Sequence, residues 1–162
     1  MPEKETLRRA RADKRAGKSA STQAGEFVRE EIHHVREGKH GARSTKQAIA
    51  IGLSKARRAG VKLGKPPAGS SEGTKRSAAS ARRRAGKSAS PRRSRATRSA
   101  LKREPHRTAS RKALSRQARG AARRRSASSR SAAAQKAVRT KGPRRRHEAA
   151  QKAARTRRRH AA

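Results

Sequence analysis

The chain has 162 residues, with 49 Lys and Arg against 10 Asp and Glu, and a formal net charge of +39. It contains one phenylalanine and no tryptophan, tyrosine or cysteine, which excludes disulfides and leaves apolar material for one small module only. No apolar run reaches the roughly 20 residues of a membrane span and no signal-peptide core opens the chain, so a cytoplasmic setting without a membrane partner is expected.

Residues 1–20 read as a basic arm holding a marginal helix. Pro2 suits a first helical position, Glu3 and Glu5 suit the positive end of a helix dipole, and Arg11, Lys14 and Arg15 suit the negative end. Gly17 would close it, and Leu7 is its one large apolar side chain.

Residues 21–64 read as a small all-α module. A first helix is expected from about Gln23 to Glu37, capped by Ser21 or Thr22 and ended by Gly38. Ala24, Phe27, Val28, Ile32 and Val35 recur at helical spacing and form its apolar stripe, with Arg29, Glu30, Arg36 and Glu37 on the solvent side. A second helix should start at Ser44, with Gln47 completing a capping box, and run to Gly60. Ile49, Leu53 and Ala56 would face the first helix, and Gly52 inside the helix costs about 1 kcal/mol relative to alanine. The expected architecture is a helical hairpin, and pairing the stripes of two hairpins in a homodimer would bury more apolar surface.

Residues 65–162 carry 33 basic residues against three acidic ones, and only Leu101, Leu114 and Val138 as large aliphatics. Backbone ordering costs about 1–2 kcal/mol per residue, and little apolar surface is present to offset it. A long intrinsically disordered Arg/Ala/Ser-rich tail is therefore expected, with helix forming from Pro143 onward where a polyanion neutralises it. Repeats such as RAGKSAS at 15–21 and 84–90 read as compositional drift, because no unit has a hydrophobic face to stack.

Motifs that would carry catalysis are weak. Gly17-Lys18-Ser19 and Gly86-Lys87-Ser88 resemble the end of a phosphate-binding loop, but alanines 12 and 81 stand where its first glycine belongs. His33, His34 and His40 cluster in sequence. Adjacent histidines point about 100° apart on a helix, so at most one of the pair can meet His40, and a structural or phosphate-contacting role is expected in place of a metal. No cofactor is expected, and no nucleophile or pocket signal accompanies Glu30, Glu31 or Glu37, so no enzyme activity is expected. Ala48, Gly52 and Ser54 have the spacing of a helix-turn-helix, yet Arg58 stands where an inward apolar residue is wanted.

The basic residues carry the functional expectation. Lys39, His40, Arg43, Lys46, Lys55, Arg57 and Arg58 are expected to make ordered phosphate contacts. In the tail, Arg82, Arg83, Arg84, Arg92, Arg93, Arg123, Arg124, Arg125, Arg144, Arg145, Arg146, Arg157, Arg158 and Arg159 form clusters whose guanidinium forks bind phosphate bidentately without reading bases. Serines among them, such as Ser126 and Ser131, are sites where phosphorylation would weaken that attraction.

The segment STQAGEFVREEIHHVREGKHGARSTKQAIAIGLSKARRAGVKLGKP, residues 21–66, resembles a family of small basic bacterial proteins of unknown function. Ser90-Pro91-Arg92-Arg93 resembles the S-P-x-K/R elements of linker-histone tails, and the tail composition resembles protamine, though it is rich in Arg where linker histones are rich in Lys. The resemblance implies a bacterial source and a DNA-associated role. The expected function is that of a histone-like, nucleoid-associated protein that neutralises DNA phosphates without sequence preference and bridges duplexes, DNA being favoured over RNA. Two alternatives share the same charge: an RNA- or ribosome-associated basic protein, and a helical protein-interaction module anchored to nucleic acid by its tail.

Overall fold

A computed structural model describes residues 2–67, 69–87 and 90–161, the side chains of 160 and 161 excepted. Ser88, which ends the second Gly-Lys-Ser, lies outside the described residues. Among the described residues the fold is all-helical: α1 Lys4–Arg15, α2 Ala20–Arg36, α3 Thr45–Arg58, α4 Glu72–Arg83, α5 Pro91–Lys102, a 3-10 turn at Arg107–Ala109, α6 Arg111–Arg123 and α7 Ala127–Ala161. The chain divides into two compact units, Met1–Gln117 and Ala118–Ala162.

Local chemistry sets the helix ends. Gly17, Gly38 and Gly60 take positive φ just past α1, α2 and α3. Each sits in the same pair of bonds: Lys18 N–H to the Asp13 carbonyl, Lys39 to His34 and Val61 to Ala56, with each glycine N–H reaching one turn back inside them. At the other end, α2 starts earlier than expected because Ser19, not Ser21 or Thr22, caps it by accepting from the Thr22 N–H. Ser44 caps α3 through the Gln47 N–H, and the Gln47 side chain answers to the N–H of Arg43.

In the first unit α2 is central, packing against α1 on one side and α3 on the other. Phe27, Ala24, Ala10 and Ala56 form one core cluster, closed by Leu7, Leu53, Val61 and Leu63. The expected hairpin is thus joined by a third helix, since Leu7 and Ala10 bring α1 onto Phe27. Ile32, Val35, Ala42, Ala48 and Ala109 form the second cluster, with Val28 and Leu114 against it.

Three expectations are corrected here. The buried stripe of α3 is Ala48, Gly52 and Ala56, while Ile49 is only half-buried. The reason is close approach: a Cβ on Gly52 would lie 2.6 Å from the Val28 Cα, so small side chains let the two backbones meet. Glu30 is buried and not on the solvent side, for reasons that belong to the site below.

The third correction is the largest. Among the described residues from Lys65 onward, α4 to α7 take up most of the segment as far as Ala161, where a disordered tail was expected. Ala, Arg, Lys and Gln are among the strongest helix formers, and local caps start most of the helices. Ser71 accepts from Thr74, Ser110 from Ala113 and Ser126 from Ser129, while Pro91 opens α5 at a position that needs no N–H. Helicity here draws on propensity and capping where apolar burial is scarce. α7 is broken at Gly142 (φ 67°, ψ 170°), immediately before Pro143, and its side chains, Val138 included, are almost all exposed.

Part of that segment also completes the core. After α5 the chain returns to the loop between α2 and α3. The Gly41 N–H donates to the Leu101 carbonyl (2.8 Å), the Ala42 N–H to Pro105 (3.1 Å), and the Thr45 hydroxyl to Thr108 (2.7 Å). Arg36 Nε donates to the Ala109 carbonyl (2.8 Å), and Ala109 is fully buried. A Cβ at Gly41 would land on the Glu104 carbonyl, so only glycine allows this approach.

Substitutions should separate these contributions in urea denaturation. Phe27→Ala, at a ring 1% exposed, is expected to cost about 3–5 kcal/mol. Gly52→Ala removes a poor helix former yet is expected to destabilise by about 1–3 kcal/mol, because its methyl meets backbone. A neutral or stabilising Gly52→Ala would contradict the close packing of α2 on α3.

Candidate nucleic-acid interface

The charged side chains sort into two populations. Nearly every carboxylate is held close to a cation. Glu5 pairs with Arg8 and Arg9, Asp13 with Lys18, Glu26 with Arg9 and Arg29, Glu37 with Lys39, Glu72 with Lys75 and Glu148 with Arg144. These exposed and half-exposed pairs add little stability. They do show how few of the basic groups have an internal partner.

A buried network lies between α1, α2 and α3. Glu30 and Glu31 project from consecutive positions of α2, with side chains 2% and 1% exposed. Lys55 of α3 reaches both, at 3.1 Å from Glu30 Oε1 and 2.6 Å from Glu31 Oε2. Glu30 Oε2 also accepts from the Glu3 N–H (3.1 Å), which ties the start of α1 to the middle of α2. Burial alone would raise the Glu30 carboxyl, but hydrogen bonds from Thr6 and Lys55, the charge of Lys55 and the Glu3 amide outweigh it and hold the group below its ordinary value. Lys55 is the mirror case. Burial opposes its charge, and the attraction of Glu31 and then Glu30 raises it above the ordinary lysine value.

His40 stands at the far side of Glu31, with Nε2 3.0 Å from Oε1 and Nδ1 3.0 Å from the Gly41 carbonyl. His34 lies against the Glu3 carboxylate at 2.8 Å, and Lys39 is 3.3 Å from the same oxygen. These two partners, His34 first, lower the exposed Glu3 carboxyl.

The residues expected to bind phosphate are therefore not equivalent. Lys55 and His40 turn inward to the carboxylates, and Lys39 lies between Glu3 and Glu37. Arg43 and Lys46 are exposed at the start of α3. Arg57 and Arg58, half-buried at its end, meet α4, where the Gly86 N–H donates to the Arg58 carbonyl. Partial burial, and secondarily the neighbouring Arg82 guanidinium, push Arg57 below the ordinary arginine value. An anion here would relieve both the burial and the repulsion that oppose the Arg57 charge. Arg82, Arg83 and Arg84 end α4, and Arg92 and Arg93 occupy the first turn of α5. Arg123 ends α6, followed by Arg124 and Arg125, and Arg144, Arg145, Arg146, Arg157, Arg158 and Arg159 lie along α7. All of these are exposed. Three consecutive arginines sweep through about 200° of a helix, so the clusters at 144–146 and 157–159 of α7 charge most of the circumference and not one face.

Sequence reasoning missed Arg36 as a structural donor and missed the return segment altogether. The available signal was the pair Leu101 and Leu114, isolated aliphatics flanking Glu104-Pro105 in an otherwise polar stretch.

Residues 11–67, about a third of the chain, match the model of a family of unknown function, DUF6496. The matched span covers the end of α1, all of α2 and α3, and the chain to Pro67. No curated protein and no solved structure matches the chain. Among the described residues, no helix is long and apolar enough to cross a membrane.

Replacing Lys55 by methionine should leave two buried carboxylates without their cation, and is expected to cost about 3–5 kcal/mol in urea denaturation. Nucleic-acid affinity of the protein that remains folded should barely change, whereas a phosphate-binding lysine would give the reverse. The same network sets a pH window for stability. The lowered Glu30 contributes above about pH 4.5 and its contribution is lost as pH falls through its folded value. The raised Lys55 contributes fully below about pH 10.5 and its share is lost as pH rises through its folded value. Thermal melts across pH should show a plateau between these limits, and Lys55→Met should remove the alkaline edge.

Proposed function

We propose that the protein is a histone-like, nucleoid-associated DNA-binding protein of bacterial type that acts by sequence-independent phosphate neutralisation. The observation that carries this reading is the segregation of charge. Carboxylates are consumed by ion pairs concentrated in α1 to α3, while the arginine clusters of α4 to α7 stand exposed with almost no counter-charge. Folding therefore does not neutralise the excess of +39, and a polyanion is needed to do so.

Helices change how that charge is delivered. An α-helix fits the major groove of duplex DNA, and one circled by guanidinium groups touches phosphates on both walls without reading base edges. At about 1.5 Å per residue the two pieces of α7, 127–141 and 143–161, are about 22 and 28 Å long, less than an extended tail would reach. Bridging of duplexes would then use separate basic helices, or a homodimer of the helical module, in place of one extended polymer. Arg43, Lys46, Arg57 and Arg58 supply contacts from the module.

DNA is favoured over single-stranded RNA because the one aromatic side chain, Phe27, is buried in the core and offers no stacking platform. The test is a salt titration of full-length protein against a random duplex and a structured RNA. If about 10 phosphates are neutralised, the slope of log K against log[salt] on duplex DNA should be near −9. A chain ending at Arg125 keeps the return segment on the module but lacks α7, and should lose several units of slope without losing its fold. A full-length slope shallower than about −3 would refute phosphate neutralisation, and tighter binding to RNA at every salt would move the reading to an RNA-associated protein.

A further inference from the structure

The basic surface does not account for the cluster formed by Glu31, His34 and His40. One ligand-capable atom from each of these residues lies within 4.8 Å of the others. Glu31 and His34 are one turn apart on α2, and His40 comes from the loop that follows, its ring edge-on to His34 with centroids 6.0 Å apart. We propose that these three side chains bind a divalent transition-metal ion of the zinc class, which fastens the loop at Gly38–Arg43 to α2.

Three features support a ligand here. Both carboxylate oxygens of Glu31 are sealed from solvent, and neither accepts a well-angled hydrogen bond, although Lys55 and His40 stand at ion-pair distance. A fully buried carboxylate is thus held by charge alone, with Oε1 on the side of His40 and Oε2 on the side of Lys55. His40 is already oriented as a ligand: its Nδ1 donates to the Gly41 carbonyl, which leaves Nε2 facing Glu31. A backbone carbonyl on the remote nitrogen is the usual outer support of a metal-bound histidine, and the Glu3 carboxylate at His34 supplies the same kind of support.

The geometry requires little movement. Zinc bonds of about 2.0–2.2 Å place tetrahedral ligands roughly 3.3–3.5 Å apart; His40 Nε2 and Glu31 Oε1 already stand 3.0 Å apart, with a His34 ring nitrogen within 4.8 Å of both. Glu31 Oε1 would take the metal while Oε2 keeps Lys55, and His40 would ligate through Nε2. The fourth position is open to water. A groove of about 340 Å³, lined by Glu3, His34, Glu37 and Lys39 among others, opens the His34 side of the cluster to solvent. Fastening this loop also bears on the rest of the first unit, because Gly41 and Ala42 hold the returning segment at Leu101 and Pro105. A small core without disulfides gains most from such a link.

The test uses full-length protein freed of nucleic acid and metal, titrated with Co²⁺ as a spectroscopic substitute. The expected result is one saturable equivalent with the intense visible absorption of four-coordinate Co²⁺, displaced by Zn²⁺, and a melting temperature raised by Zn²⁺. His34→Gln and His40→Gln should each weaken binding at least a hundredfold, while His147→Gln on α7 binds as the wild type does. Circular dichroism confirms that each variant is folded. Wild-type protein showing only the weak spectrum of six-coordinate Co²⁺, or no saturable equivalent, overturns the site whatever the variants do. So does a folded His34→Gln protein with wild-type affinity.

Discussion

Two adjacent carboxylates buried on α2 constrain everything around them. Glu30 and Glu31 cannot be left in a low-dielectric interior without cations, and Lys55 alone reaches both. That requirement fixes the register of α3 against α2, because Lys55 must lie opposite the pair. It also fixes α1, because the backbone N–H of Glu3, the residue just before it, donates to Glu30. In a core this small, apolar contact by itself would permit sliding. The ion network and the contact of Gly52 with the α2 backbone specify one arrangement.

The same network explains how so basic a chain forms a folded unit. Repulsion among cations opposes compaction, and the sequence concentrates its carboxylates where the chain must be densest. Outside α1 to α3 the carboxylates are Glu72, Glu104 and Glu148, and the helices there stand largely in solvent. Stability and nucleic-acid affinity are thereby assigned to different residues. Lys55 and His40 serve the fold, whereas Arg57, Arg82 and the arginine clusters keep their charge for a partner.

The loop between α2 and α3 is where these roles meet. It ends α2 with a left-handed glycine, presents His40 to Glu31, and receives the returning chain through the Gly41 and Ala42 amides. The match to the family of unknown function ends at residue 67 and so contains this loop but not the segment that docks on it. Leu114 and Ala109 finish the second core cluster from far along the chain.

Much of this was legible from local chemistry. The three closing glycines, the Ser44 cap and the Phe27 to Val35 stripe follow from conformational preference and periodicity, which act over a few residues. The excess of positive charge, and with it the need for a polyanion, is likewise written in composition. Helicity of the arginine-rich segment was locally encoded too, by alanine and arginine propensity and by serine caps, and an argument from core burial alone overlooked it. Tertiary structure alone decided which side of α2 holds Glu30, which face of α3 is buried, and where Leu101 to Leu114 returns. Those outcomes depend on the fit between surfaces distant in sequence: a glycine that admits a backbone, a lysine that reaches two carboxylates, a loop whose amides need acceptors. No window of neighbouring residues contains that information.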